Sequence, residues 1–178
     1  MLRRRETRLA GLALLQPESF ADERGFFLES YSRRDLEQFG ITTEFVQDNH
    51  SRSVRDTVRG LHFQTGPGQA KLVRAARGRV WDVAVDIRAD SPTFGEWEAF
   101  ELDDVEHWQL YLPVGFAHGF CAISDVADVC YKVSAYYDPA RERGIAWDDP
   151  RIGISWPTRE PKLSDRDRRN PPLAEALL

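Results

Sequence analysis

Residues 59–71, Arg-Gly-Leu-His-Phe-Gln-Thr-Gly-Pro-Gly-Gln-Ala-Lys, hold a histidine and two cations in one short stretch. His62 sits inside an apolar run, Arg59 stands just before it, and Lys71 follows a Gly-Pro-Gly turn. The spacing predicts two strands joined by a turn, each carrying an ionisable group. Histidine titrates close to ambient pH, which suits a general base. A neighbouring cation suits the oxygen charge that builds when a proton leaves carbon beside a carbonyl. The set fits proton removal from an anionic carbonyl substrate.

Other residues extend that chemistry. Tyr131 is a weak acid, with an ordinary pKa of ~10, and such an acid suits reprotonation of a strongly basic enolate. A carboxylate would orient the His62 ring; Asp82 and Asp167 are both candidates, and spacing does not choose between them. Arg24, Arg59 and Arg166 fit pyrophosphate binding in an otherwise acidic chain. Phe26, Phe27 and Tyr137 offer faces on which a nucleobase can stack. Pro113-x-Gly-x-x-His118 is similar to the second metal motif of the cupin superfamily. The first motif needs His-x-His and a following glutamate, but His62-Phe63-Gln64 supplies one histidine. Two ligands fall short of a stable site, so no metal is expected. His50 and His107 are read as surface or loop residues.

These side chains need strands to carry them. Extended segments are predicted at 8–16, 24–31, 44–53, 58–64, 71–77, 79–88, 96–102, 107–112, 117–124 and 128–137. Ser32 to Phe39 reads as one short helix, capped by Ser32 and closed by Gly40. Many short strands between Gly/Pro turns predict a mainly β, antiparallel sandwich or barrel with a few short helices. Alternation puts Trp81, Val83, Val85 and Ile87 on one face and Asp82, Ala84, Asp86 and Arg88 on the other. Tyr131 and Tyr137 share a face and so look into one pocket. Arg59 and His62 have opposite parity, which a bulge at Gly60, or a place for Arg59 at the strand mouth, would reconcile. Cys121 and Cys130 flank an expected hairpin turn and are read as small buried hydrophobes. Residues from about 139 to 178 are irregular, with one helical turn at 164–168.

The 178 residues fit one domain with a substantial core. A net charge of -5 argues against nucleic acid or an anionic membrane as partner. The Leu12–Leu15 apolar run is too short for an export signal, and no stretch approaches a membrane span. A cytoplasmic location is the expectation.

Several pieces together carry a resemblance. They are Asp22 through Glu29 (DERGFFLE), Gln47-Asp48-Asn49, Arg59 through Gln64 (RGLHFQ), Gln69 through Val73 (QAKLV) and Asp82 through Arg88 (DVAVDIR). Ser91 through Gly95, Pro113 through Phe120, Tyr131-Lys132, Tyr136-Tyr137 and 163–167 complete the series. In that order and spacing, the chain resembles dTDP-4-dehydrorhamnose 3,5-epimerases from about residue 8 to 170. The resemblance implies a cofactor-free, cupin-like jelly-roll barrel. It also implies a homodimer sharing the N-terminal strands of about 8–31, with Arg24 to Glu29 reaching the partner's site. It implies His62 as base, Asp167 as its carboxylate partner, Tyr131 as acid, Lys71 near the C4 oxygen and Asp82 as an active-site carboxylate. Arg24, Phe26, Glu29, Gln47, Asn49, Arg59, His118, Glu142 and Arg166 match substrate-binding positions, and Tyr137 the aromatic that stacks on thymine. The expected substrate is a dTDP-4-keto-6-deoxyhexose inverted at C3, C5 or both.

Three alternatives follow from the same residues. A monoepimerase of an antibiotic sugar pathway would use the same catalytic set. A metal-dependent cupin oxygenase would need a third ligand. A non-catalytic sugar-binding barrel would not need a base and an acid together.

Overall fold

The computed structural model describes residues 2–177; Met1 and Leu178, the two ends of the expected domain, lie outside the described residues. Two antiparallel sheets form the barrel. The first takes β1 (Arg3–Arg5), β2 (Ala13–Gln16), β5 (Gln47–Val54), β7 (Lys71–Arg77), β10 (Gln109–Leu112) and β12 (Val126–Val133). Its spatial order is β1-β2-β10-β7-β12-β5. The second takes β6 (Val58–Gln64), β8 (Arg79–Asp86), β9 (Trp97–Asp103), β11 (Phe116–Ala122) and β13 (Glu142–Gly144), in the order β13-β6-β11-β8-β9. A separate hairpin pairs β3 (Ser19–Asp22) with β4 (Gly25–Leu28). Two short helices, α1 (Arg33–Glu37) and α2 (Leu173–Ala176), and a 3-10 turn at Asp167–Arg169 complete the elements. Among the described residues, no helix is long and apolar enough to cross a membrane.

Alternation along the strands divides the interior into a dry end and a polar end. Val73 and Ala75 of β7, Leu110 and Leu112 of β10, Ala127 and Val129 of β12 face Val80 and Ala84 of β8, Leu102 of β9 and Phe116 and Phe120 of β11. Each buried Val, Leu or Phe side chain among them contributes roughly 1.5–3 kcal/mol. The same inward faces continue into polar residues: Lys71 follows the parity of Val73, Tyr131 that of Val129, and His118 lies between Phe116 and Phe120. On β5 the inward positions Gln47, Asn49, Ser51 and Ser53 alternate with exposed Asp48, His50 and Arg52. A strand whose covered face is polar lines a wet cleft instead of a core.

Part of each outer face is also covered. Leu61, Phe63, Val83 and Val85 pack under Ile145, Ile152, Leu173 and Ala176 of the C-terminal segment. Ala13, Leu15, Leu72 and Tyr111 pack under Leu36 and Ile41, beside α1. The α1 cap is the expected one: Ser32 Oγ accepts from the Asp35 N–H at 3.4 Å, and Gly40 has φ of 75°.

The structure corrects several boundaries. The expected strand at 8–16 is a turn followed by β2, and 24–31 is half of the β3–β4 hairpin. The strand predicted to reach 137 ends at Val133. Phe116–Ala122 and Val126–Val133 do not form a hairpin, because the turn between them crosses from one sheet to the other. Cys121 and Cys130 therefore sit in different sheets, both free, the first buried and the second half-buried. Arg3–Arg5, Glu142–Gly144 and α2 have no counterpart in the sequence reading.

Candidate active site

Between the sheets, at the polar end of the barrel, lies a cleft of ≈ 360 Å³. His62 and His118 reach it from the second sheet, Lys71 and Tyr131 from the first, and Tyr137, Arg166 and Asp167 from the segments at its rim. Gln47, Asn49, Arg59 and Glu142 complete the predicted residues along its wall. His62 and Tyr131 thus stand on opposing sheets of one cavity.

Gly60 explains how both Arg59 and His62 reach it. Pairing runs from His118 opposite His62 to Phe120 opposite Arg59, so β6 carries one extra residue at this point. Gly60 has φ of 130°, and a Cβ there would lie 2.5 Å from the Gly119 Cα. Only glycine fits a positive φ against a neighbouring backbone this close. Arg59 then anchors on β5, donating from Nε to Ser53 Oγ at 3.0 Å.

His62 Nε2 lies 2.7 Å from Asp167 Oδ1. A carboxylate only accepts, so the ring donates from Nε2 and keeps its lone pair on Nδ1. Burial pushes the Asp167 carboxyl up, but His62, the Ser164 hydroxyl and the Gly60 backbone outweigh it and hold the carboxyl below its usual range. Ser164 also accepts the Asp167 N–H at 3.0 Å, fixing the turn that presents the carboxylate. The choice left open between Asp82 and Asp167 is decided by this geometry.

Asp82 instead pairs with His118, whose Nε2 lies 2.9 Å from Asp82 Oδ2. Asp82, expected as an active-site carboxylate, is fully buried and off the cleft wall, and it meets the cleft through His118. Burial lowers the His118 pKa, Asp82 opposes the shift, and Lys71 and His62 add to it.

Lys71 is buried, and its Nζ donates to the His62 carbonyl at 3.3 Å. Burial pulls its pKa down to about 8, with Glu142 and Asp82 resisting. The amine is therefore still mostly charged at neutral pH. Burial raises the Tyr131 phenol, helped by Glu142 and opposed by Arg59, so it carries its proton there. Arg166 is ion-paired with Glu142 at the rim.

Arg24, Phe26 and Glu29 are not on the cleft wall of their own chain. The β3–β4 hairpin projects outward, with Phe26 and Phe27 58% and 71% exposed and Arg24 paired with Asp22. Phe26 packs its ring against His107. His50 is exposed beside Asp128. Ser51, Gln69, Phe120 and Ser164 line the cleft without having been assigned roles there. Ser164-x-x-Asp167 is a legible capping spacing; the other three carry no signal of their own. Among the described residues, no group of three or more His, Cys, Asp or Glu side chains is placed to hold a metal ion.

A family model for dTDP-4-dehydrorhamnose 3,5-epimerase matches residues 6–175. The chain is 49% identical over 176 residues to the dTDP-4-dehydrorhamnose 3,5-epimerase of Salmonella typhimurium, covering 97% of this chain and 96% of that one. It is also 49% identical to a dTDP-4-dehydrorhamnose 3-epimerase of Streptomyces niveus, covering 98% and 86%. The dTDP-6-deoxy-D-glucose-3,5-epimerase of Legionella pneumophila, solved with dTDP-4-keto-L-rhamnose, superposes with a TM-score of 0.95 at 43% identity, covering 98% and 94%. Equal identity to a double and to a single epimerase means that overall similarity does not separate the two outcomes.

Proposed function

The chain belongs to the dTDP-4-dehydrorhamnose 3,5-epimerase family and is an epimerase, and from that premise we propose that it inverts carbons flanking the 4-keto group of a dTDP-4-keto-6-deoxyhexose. The observation that carries this reading is the placement of His62 and Tyr131 on opposing sheets of one cleft. A sugar ring held between the sheets offers one face to each residue.

The 4-keto group acidifies the protons on C3 and C5. His62 Nδ1 takes one of them, and the resulting imidazolium is balanced by Asp167. The electron pair moves onto the C4 oxygen, where the Lys71 ammonium meets the charge without reorganisation. Tyr131 then returns a proton to the same carbon from the opposite face, which inverts it. The phenol is reprotonated and the imidazolium deprotonated through solvent. The step is redox-neutral, and the proposed chemistry calls for no cofactor.

In the same proposal Arg59 and Arg166 hold the pyrophosphate, Tyr137 stacks on the base, and Gln47, Asn49, His118 and Glu142 orient the ligand. Arg24, Phe26 and Glu29 would serve the cleft of a second copy in a homodimer, which accounts for an outward hairpin bearing exposed phenylalanines.

Solvent deuterium exchange into dTDP-4-keto-6-deoxyglucose, read carbon by carbon, tests the function. Incorporation at C3 and C5 with inversion at both is expected of a 3,5-epimerase. Incorporation and inversion at one carbon alone would make it a monoepimerase. No incorporation at either carbon would overturn the enzymatic reading in favour of a binding barrel.

A further inference from the structure

The backbone leaves the β12 ladder after Val133, yet Tyr137 still lines the cleft. Backbone groups that lose their ladder partners need others. In residues 135–137 those partners are glutamine side chains from three different places. Gln69, in the turn before β7, donates from Nε2 to the Ala135 carbonyl at 2.8 Å. Gln64, at the end of β6, donates to the Tyr136 carbonyl at 3.5 Å. The Tyr137 N–H donates to Gln47 Oε1 at 3.1 Å. Gln47 cannot turn its amide over freely, because its Nε2 donates to Asn49 Oδ1 at 2.8 Å.

Apolar packing does not hold these tyrosines. Tyr136 is 70% exposed and Tyr137 54% exposed. Ser134 and Ala70 exchange bonds just upstream, fixing where the segment departs from the sheet. Thr65 receives the Arg141 carbonyl as acceptor for both its N–H and its hydroxyl just downstream. Between those two anchors, the three amides set where the Tyr136–Tyr137 backbone lies.

We propose that Gln69, assisted by Gln64, is a positioning residue: it holds the Tyr136–Tyr137 segment so that Tyr137 meets the nucleoside end of the substrate. This rests on the reading above, in which Tyr137 stacks on the base. Gln69 is then coupled to affinity and not to proton transfer, since its bond runs to the Ala135 carbonyl and not to His62, Lys71 or Tyr131. The two amides should also rank by their bonds, Gln69 above Gln64, because a contact at 3.5 Å is at the limit of a hydrogen bond.

The test is the Kd for dTDP by titration calorimetry, with KM and kcat, in the full chain. Gln69→Met removes the donor and keeps the length. It should weaken dTDP binding and raise KM by about 3- to 10-fold, as expected for one lost hydrogen bond, with kcat at saturation little changed. Gln64→Leu should act in the same direction by about 2-fold or less. In a Tyr137→Ala background, which itself weakens dTDP binding, Gln69→Met should add little, because the two act through one contact.

A full additional penalty in the double variant would mean that Gln69 touches the ligand directly and would overturn the inference. So would an unchanged Kd in Gln69→Met, or a loss confined to kcat. Should Gln69→Met fail to fold, Gln64→Leu carries the same double-variant comparison. Failure of the substrate reading looks different: the wild-type chain itself would not bind dTDP, and both proposals would fall together.

Discussion

Two His–Asp pairs stand side by side in this barrel, on strands whose register sets His62 directly opposite His118. Both join Nε2 to a carboxylate at hydrogen-bond distance. They differ in access. The His62 side chain is 26% exposed, whereas His118 is 8% exposed and its Asp82 is sealed completely. A group that takes up a proton each turnover must also release it to solvent. His62 has that route. Burial lowers the His118 pKa, with Lys71 and His62 reinforcing the shift and Asp82 opposing it, which favours the neutral ring. In the proposed mechanism, depth divides the same pair of residue types into a proton carrier and a binding wall.

His62→Ala is the most direct way to break that contrast. It should abolish solvent exchange at both C3 and C5, with kcat down by about 10²–10⁴-fold as for the loss of a general base. Exchange surviving at one carbon, read by NMR in D2O, would require a second base and would make His118 the first suspect.

Exchanging the two carboxylates sharpens it. Asp167→Asn keeps the shape but removes the charge that balances the His62 imidazolium; kcat should fall by about 10²-fold or more with little change in melting temperature. Asp82→Asn should reverse the balance. It disturbs a sealed pair, at a cost of about 1–3 kcal/mol, or a few degrees of melting temperature at this chain length. Its effect on kcat should be the smaller. Equal activity losses from the two variants would erase the distinction.

Lys71 links the pairs and titrates within reach of experiment. As its pKa is about 8, kcat should decline as pH rises through that value and the ammonium is lost. Stability should move the opposite way. Between about 8 and the ordinary lysine value of ~10.4, the unfolded chain holds the proton that the folded chain has released, so stability rises with pH in that window. Lys71→Met should accordingly raise the melting temperature while lowering kcat, because it removes a buried charge that the proposed mechanism uses. A variant that lost both would assign Lys71 a structural role.

The smallest effect on activity is expected at Asp86, a buried carboxylate away from the cleft. Burial pushes it up, but the side chains of Arg88, Ser91 and Thr93 and the Arg88 N–H hold it well below the usual range. Its contribution to stability is present above the unfolded pKa and is lost as pH falls below that value toward the folded one. Asp86→Asn should cost about 1–3 kcal/mol by chemical denaturation. The dTDP Kd should not change; a shift in it would tie the 86–95 loop to the site.

Much of this arrangement was legible from local pattern. The parity of β8 correctly separated Val83 and Val85, under the C-terminal segment, from Ala84 and Asp82 inside. The clash of parity between Arg59 and His62 leaves two resolutions, a bulge at Gly60 or Arg59 at the strand mouth, and the register shows the bulge. What local pattern could not give was anything set by distant pairing. The choice of Asp167 over Asp82 as partner of His62 depends on a contact across 105 residues. The crossing between β11 and β12 leaves no mark in composition, since Ser124-Asp125 suits a hairpin turn as well. Tyr137 was placed in the right cleft for an incomplete reason: the strand that would have carried it stops at Val133, and glutamine side chains hold the remainder.

Proton removal and proton return are proposed to fall to opposite walls of the cleft, and Tyr131→Phe in D2O separates the two steps. Removing only the phenol oxygen should leave deuterium exchange at the substrate carbons within about tenfold of wild type while inversion falls by about 10²-fold or more. Exchange and inversion lost in equal measure would mean that both steps rest on one residue, and the division between the walls would fall.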